Sequence, residues 1–498
     1  MKMLKKSLLA FVISTSIVGC NGSSSSSGSS GGGAVATLPT SLKNCIIELA
    51  NTLICNGAVE DLSELTLLPN LTSLQLDDVT ITEAVWKTLP VTLPLITKLQ
   101  LVNNDLPSNI DLLNFPNLTT LIIGDNPDTF TTAGSVLLNA INDQTQLQTL
   151  GFFGNGHLAP NEIELANFNA LTDLDLSYGE HIFAGVRSGE GLLGQIEAMS
   201  QLTALNLEGT DLGEFDLSQL VNLTKLNFSN TEVFYRIPSG EGVVSQLENM
   251  PLLTELRIAS TGILSIDLNK MTNTLTVLDL SNSSLFYDYE TGDYDSSLAD
   301  AFLAQLEAMT KLTELRLDQT LTPSTGMNGI NLSKIANSLT ILDLSGHASL
   351  FDGLTSGDGV LGQIENMDKL TELKLERVAL TDIDLSKFAT NLTVLALSGN
   401  PELFTETSIL TSVLMQIERA NALTQLALNN NELQRFNGGT LSKLLSLDIR
   451  DNSRITVDNL VLQNNAGLDV RVKGTGISES DEATLKGKYP DVKFDFIF

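Results

Sequence analysis

Along most of the chain, apolar residues recur at the first, fourth and sixth positions of the phrase L-x-x-L-x-L. Copies include "LTDLDL" (171–176), "LTALNL" (202–207), "LTELRL" (312–317), "LTILDL" (339–344), "LTELKL" (370–375) and "LTQLAL" (423–428). The last two apolar positions alternate with polar ones, the period of a strand with one buried face. The copies begin at Leu71, Ile96, Leu118, Leu147, Leu171, Leu202, Leu223, Leu253, Leu275, Leu312, Leu339, Leu370, Leu392, Leu423 and Leu444, with degenerate copies at Gly467 and Tyr489. Long and short intervals alternate. The long ones carry a second apolar period at i, i+4 and i+7: Leu192, Ile196 and Met199; Val243, Leu247 and Met250; Phe302, Leu306 and Met309; Val360, Ile364 and Met367; Val413, Ile417 and Ala420. That spacing predicts the inner stripe of a short helix. The short intervals, such as "FDLSQLVNL" (215–223) and "IDLSKFATNL" (383–392), predict an extended return.

Three residues after the final Leu stands Asn at 104, 126, 155, 400, 431 and 452, Thr at 210, 231, 261, 320 and 475, and Ser at 283. Val79, Gly179, His347 and Val378 depart from this and are expected to interrupt any ladder of side-chain amides. A Phe recurs at 130, 183, 234, 286, 351 and 404, at the spacing of a stacked core column.

These repeats resemble the leucine-rich repeat family, specifically bacterial short repeats of the internalin type, over roughly residues 60–498. The resemblance implies an α/β solenoid: a horseshoe with a parallel concave sheet and alternating long helical and short extended convex segments. Stacked copies bury a shared core that no single copy could bury alone, so the ends of such an array need caps. We assign 67–475 to the array, 37–66 to an N-terminal cap and 476–498 to a C-terminal cap.

One motif points elsewhere. "SGEGLLGQIEAM" (188–199) spells G-x-G-x-x-G, the fingerprint of a dinucleotide-binding turn. Its sister segments "SGEGVVSQLENM" (239–250) and "SGDGVLGQIENM" (356–367) keep the Gln-(Ile/Leu)-Glu core but not every glycine. The glycines are therefore read as part of the repeat's entry into its helix. No cofactor is expected.

Composition sets the surroundings. The formal charge is −31, so phosphate backbones are repelled and no nucleic-acid partner is expected. The start "MKMLKKSLLAFVISTSIVGC" has the basic and apolar regions of a secretion signal. Ile17-Val18-Gly19-Cys20 resembles the bacterial lipobox, which implies a signal peptide at 1–19, lipid attachment at Cys20 and membrane anchoring. Asn21, by the same resemblance, points to the outer membrane. A Ser/Gly tether follows at 20–36. Export permits a disulfide, and Cys45 and Cys55 are the remaining pair; free thiols are the alternative.

Candidate binding residues lie on the outward face of the strands. The centres of successive strands read Arg257, Asp279, Arg316, Asp343 and Lys374, with Glu255, Val277, Glu314, Ile341 and Glu372 two residues earlier. This strip serves as a self-satisfied charge ladder, as a recognition surface for a charged partner, or as both. Ile122, Gly151, Phe153, Ala396 and Ala427 form more apolar stretches where a partner could anchor. In the inserted loop "LFYDYETGDYDSS" (285–297) the carboxylates lack EF-hand spacing, and Tyr287 and Tyr289 are candidates for partner contact. His157, His181 and His347 are scattered and lack the neighbours of a metal or nucleophilic site, so neither a metal nor catalysis is expected. The reading is an envelope binding protein that recognises a protein partner, in adhesion or cell interaction. The alternative is a periplasm-facing scaffold for envelope proteins.

Overall fold

The computed structural model describes residues 38, 40–48, 51–104, 106–107, 110–126, 134–155, 163–179, 181–283, 285–287, 295–319, 329–404 and 413–496. The leader, the lipobox with Cys20, the Ser/Gly tether, Phe130, His157, Tyr289 and Thr320 lie outside them. The chain forms two units, one ending at Val233 and one beginning at Phe234.

In the first unit, the strands β1 (Cys45–Glu48) and β2 (Thr52–Asn56) form an antiparallel hairpin in which Cys45 faces Cys55, and the two are disulfide-bonded. β2 then pairs in parallel with β3 (Ser73–Asp77). The series continues, each strand parallel to the last, through β4 (Lys98–Val102), β5 (Thr120–Gly124), β6 (Thr149–Phe153), β7 (Asp173–Asp175), β8 (Ala204–Asn206) and β9 (Lys225–Asn227). The helices are α1 (Glu83–Trp86), α2 (Gly134–Asn142) and α3 (Gly191–Glu197).

The second unit repeats the pattern. Its parallel strands are β10 (Glu255–Arg257), β11 (Val277–Asp279), β12 (Glu314–Arg316), β13 (Ile341–Asp343), β14 (Glu372–Lys374), β15 (Val394–Ala396) and β16 (Gln425–Ala427). β17 (Phe436–Gly438) pairs with β19 (Leu460–Leu462) in a separate two-stranded ribbon. The main series goes on through β18 (Ser446–Asp448), β20 (Asp469–Arg471) and β21 (Lys493–Asp495). The helices α4 (Gly242–Leu247), α5 (Ser296–Ala308), α6 (Gly359–Ile364), α7 (Val413–Ile417) and α8 (Glu482–Lys488) complete it. One strand per repeat, each paired with the next in register, is the leucine-rich repeat fold.

The register explains the phrase. Leu256, Leu278, Leu315, Leu342, Leu373, Leu395 and Leu426 lie side by side and fully inside, so each strand contributes an apolar rung to a common core. Burying such a Leu contributes roughly 1.5–3 kcal/mol. The helix stripes named from the sequence are all buried, as are Phe183, Phe234, Phe286, Phe351 and Phe404.

The Asn positions form two ladders. In the first unit the Asn104 Nδ2 donates to Leu76 O, and the Asn104 N–H donates to the Asn126 Oδ1. Asn126 repeats this toward Leu101 O and Asn155, and Asn155 Nδ2 reaches Ile123 O. In the second unit Asn400, Asn431 and Asn452 do the same toward Leu375, Leu397 and Leu428. Val79 and Val378 do not interrupt these ladders. Their backbone N–H groups are the receiving ends, donating to Asn104 and Asn400. His347 is no gap either. Its Nε2 lies 2.6 Å from Leu317 O, the place an Asn amide takes elsewhere. A carbonyl only accepts, so the ring carries its proton on Nε2. The threonines behave differently: Thr210, Thr231, Thr261 and Thr475 bond a carbonyl of their own repeat and cross to no neighbour. Ser283, by contrast, reaches back to the preceding coil, its hydroxyl 3.4 Å from Ile258 O.

The residue before each ladder position is left-handed. Asp78, Asn103, Asp125, Gly154, Tyr178, Gly209, Gln319, Gly346, Arg377 and Gly399 all have positive φ. Where a large residue stands there, the next repeat can place a glycine beneath it: a Cβ on Gly209 would meet the Tyr178 ring at 2.8 Å, and one on Gly399 would meet Arg377 at 2.5 Å.

Candidate functional site

The Gln-x-Glu core of the helical segments is a pair of staples. Gln195, Gln305, Gln363 and Gln416 each accept, through Oε1, the backbone N–H of Leu165, Leu268, Leu332 and Leu385 in the preceding short return. Glu197, Glu248 and Glu365 reach the following one, accepting the N–H of Asp216, Asp267 and Asp384. The same carboxylates accept the N–H of Gly189, Gly240 and Gly357. In the G-x-G-x-x-G segment the Gly189 N–H that would meet a phosphate is thus held by Glu197. Gly194 is required for a different reason: a Cβ there would lie 2.5 Å from the Gly189 carbonyl oxygen. Glu190, Glu241 and Asp358 sit at the helix starts but make no capping bond. A shallow cleft of about 450 Å³ borders this segment, lined by Leu165, Phe168, Gly191 and Met199 among others.

The charged strip of the second unit is one continuous network. The register places Arg257, Asp279, Arg316, Asp343 and Lys374 in one row and Glu255, Val277, Glu314, Ile341 and Glu372 in the other. The ion pairs do not simply join adjacent strands. Arg257 reaches past Val277 to grip Glu314 with both terminal nitrogens, at 2.7 and 3.0 Å. Arg316 bonds Glu314 on its own strand at 2.8 Å and reaches past Ile341 to Glu372 at 2.8 Å. Lys374 lies 3.0 Å from Glu372 and 3.7 Å from Asp343, and Arg257 lies 3.8 Å from Asp279. The apolar Val277 and Ile341 leave each carboxylate to a long cation two strands away. Asp279 and Asp343 also accept the N–H of Ser281 and Ser345, closing the end of their own strand.

The electrostatics follow from this packing. Burial raises the Glu314 carboxyl, but the guanidiniums of Arg257 and Arg316 outweigh it and hold the group down at about 2. Glu372 is lowered in the same way against its burial, by Arg316 and Lys374. Asp343 is raised by burial despite Lys374. Tyr287, the other candidate described, is half-buried beside the buried Phe286.

The apolar stretches are mostly closed as anchors; of their residues, Ala427 alone is half-buried. Ile122, Phe153 and Ala396 are buried. The Phe153 ring lies flat over the neighbouring strand, where a Cβ on Gly124 would meet it at 2.3 Å. Glycine on one strand lets the next strand's aromatic fold down, which the sequence of either strand alone conceals.

The first unit carries polar groups that the sequence did not single out. On β3 the outward side chains are Ser73, Gln75 and Asp77; on β4 they are Lys98, Gln100 and Val102. The Gln100 Nε2 donates to Asp77 Oδ2 at 2.9 Å. The Ser73 Oγ and Asp77 Oδ1 are buried and have no hydrogen-bond partner. Burial pushes Asp77 up to about 6 and Lys98 down from its ordinary value. Further along, burial holds Asp175 at about 6 although Ser177 donates to it.

No family model and no curated protein matches the chain. Among solved structures, it is similar to a leucine-rich repeat protein of Leptospira interrogans (19% identity, 86% of this chain and 91% of that one, TM-score 0.40). It is also similar to the functional domain of InlJ from Listeria monocytogenes, which includes a cysteine ladder (18% identity, 85% and 64%, TM-score 0.33). A third is an internalin, InlF, from Listeria monocytogenes (17% identity, 72% and 84%, TM-score 0.33). The chain spans just under two thirds of the InlJ structure.

Proposed function

We propose that this leucine-rich repeat protein is a lipid-anchored protein of a bacterial envelope that recognises a protein partner through the open face of its sheet. The observation that carries this reading is the contrast between scaffold and face. The ladders and the Gln-x-Glu staples lock the backbone from within, while each strand presents side chains to the outside at fixed spacing. Such a surface is pre-organised, which lowers the ordering cost of association. Binding, rather than chemistry, suits a face built of strand side chains at fixed spacing. The anchor at Cys20 and the tether at 20–36 would hold the body at the membrane surface, and the outer membrane is the proposed site. Adhesion or cell interaction is the role in view. Arg257, Asp279, Arg316, Asp343 and Lys374 would present a fixed charge pattern to the partner, with Tyr287 and Tyr289 as further candidate contacts.

The test is accessibility on intact cells, by protease and by antibody, with Cys20→Ala as the anchoring control. A body reached from outside supports surface recognition. Protection until the outer membrane is opened defeats the adhesion role and favours a periplasm-facing scaffold. Membrane retention of Cys20→Ala defeats the lipid anchor.

A further inference from the structure

The turns that lead into the strands differ between the two units. In the second unit every turn into β10–β16 carries a charged residue five positions before its L-x-x-L-x-L copy, Glu307, Lys334, Glu365 and Lys387 among them. In the first unit the turns into β3, β4 and β5, residues 65–72, 88–97 and 112–119, hold no charged residue. Among the described residues, the three most exposed large apolar side chains stand here: Val91 at 91%, Leu113 at 80% and Leu67 at 63%, with Leu95 at 55%.

The repeat does not require these exposures. Asp111 Oδ1 accepts the Leu113 N–H, just as Asp216, Asp267, Asn331 and Asp384 accept those of Ser218, Asn269, Ser333 and Ser386. The same place in the coil is polar in those sisters and leucine here. An exposed apolar group at a place the fold leaves free points to something outside the chain. The three turns also make one surface. Leu68, Pro69, Leu93 and Pro94 line a shared cleft of about 200 Å³. The Leu93 N–H donates to Asn114 O at 2.7 Å, and the Nδ2 groups of Asn114 and Asn117 donate to Pro90 O and Pro94 O. These carbonyls therefore need no water, which lowers the cost of covering them. Of the flanking charges, Glu64 accepts the Ser41 N–H, Lys87 pairs with Glu83 and Asp111 holds Leu113.

We infer that this edge of the first coils rests on the lipid surface, with Leu67, Val91, Leu95 and Leu113 entering the headgroup boundary. The inference rests on the lipid-anchor reading and adds a second contact to it. Residues 20–36, which join Cys20 to these coils, reach at most about 60 Å even at full extension. The bilayer stays within reach, so an apolar contact too weak to hold a free protein becomes intramolecular. Charge points the same way. A second copy would bring another formal charge of −31 against the first. A zwitterionic lipid surface brings no net charge, and an acidic body meets it best through a charge-free edge.

The experiment inserts the full, acylated chain into vesicles of phosphatidylcholine and phosphatidylethanolamine. A fluorophore is attached through Leu113→Cys and, in a second sample, through Val461→Cys, an exposed site of the second unit. Brominated lipid is to remove most of the fluorescence at 113 and little of that at 461. Adding Leu67→Ser and Val91→Ser is to relieve the quenching and to leave Tm unchanged, since both side chains are exposed. Quenching at neither site, with the protein still on the vesicles, overturns this contact and leaves the anchor standing. Equal quenching at both sites overturns the assignment to this edge. Release of the unsubstituted chain from the vesicles defeats the anchor and this inference together. Sedimentation of Cys20→Ala reads self-association. A dimer abolished by Leu67→Ser with Val91→Ser gives the edge to a second copy and overturns the lipid contact.

Discussion

The outward face is built in two ways in the two units. On β10–β14 charges are plentiful and bonded to one another: Glu314 serves two arginines, and Arg316 serves two carboxylates. On β2–β6 charges are scarce and polar groups are left over. The same repeat supports both because the core needs only the inward residues. The outward ones are free to be spent on the protein's own cohesion or kept for a partner. A ladder that satisfies itself holds its charges in a fixed pattern, which a partner can read without reordering them. A face with orphaned groups loses nothing when a partner supplies the missing bonds.

The largest expected break in this contrast is Glu314→Ala. It leaves Arg257 and Arg316 short of their shared carboxylate in a partly buried row, and we expect a loss of about 3 kcal/mol. Replacing Glu314, Arg257 and Arg316 together with Met is to recover part of that: Glu372 keeps Lys374, while Asp279 loses Arg257. Urea midpoints of the single and triple variants check this. A single variant as stable as the wild type would mean that the ladder holds nothing together.

Acidification is to strengthen the first unit through Asp77 and Asp175, and to weaken the second through His347, where the raised Asp343 works the other way. Asp77 and Asp175 have native values of about 6 against an ordinary 3.8, so the native state binds their protons more readily. Stability in the first unit therefore rises as pH falls through 6 toward 4, by at most about 3 kcal/mol per group. In the second unit His347 is lowered from 6.5 by burial, and its contribution is lost as pH falls below that value. Glu314, held at about 2 against 4.5, loses its contribution only below 4.5. Hydrogen exchange at pH 7 and pH 5 resolves the units. Protection of β3–β7 that falls at pH 5, or an Asp175→Asn variant with an unchanged pH response, would contradict the assignment.

The smallest effect sharpens the role of His347. His347→Ala orphans Leu317 O in the interior and is to cost about 2 kcal/mol, while His347→Asn restores a donor and is to be tolerated. Equal losses for both would show that the ring matters for packing rather than for its bond.

Much of this molecule was legible in the chain. L-x-x-L-x-L announced the strands, the i, i+4, i+7 stripes announced the helices, and the Asn positions announced the ladders. Spacing is local, and periodic local spacing is what a strand or helix requires. His347, Val79 and Val378 were misjudged because a ladder position was equated with one residue type, when the requirement is a donor to a carbonyl. Phe153 and Ile122 were misjudged because exposure was inferred from outward position. The candidate face was only half legible: the charged residues of the second unit stood out, and Ser73, Asp77, Lys98 and Gln100 did not.

The sequence by itself determined which residues face inward, where each coil turns and that the coils stack, because these follow from side-chain period and hydrophobic burial along one stretch of chain. Which outward groups are used up and which are left over was decided only by tertiary structure. Glu314 meets Arg257 across 57 positions, and Gly124 admits the ring of Phe153 from the next coil. A hydrogen bond or ion pair depends on what register brings within about 3 Å, and register between coils is a property of the stacked array.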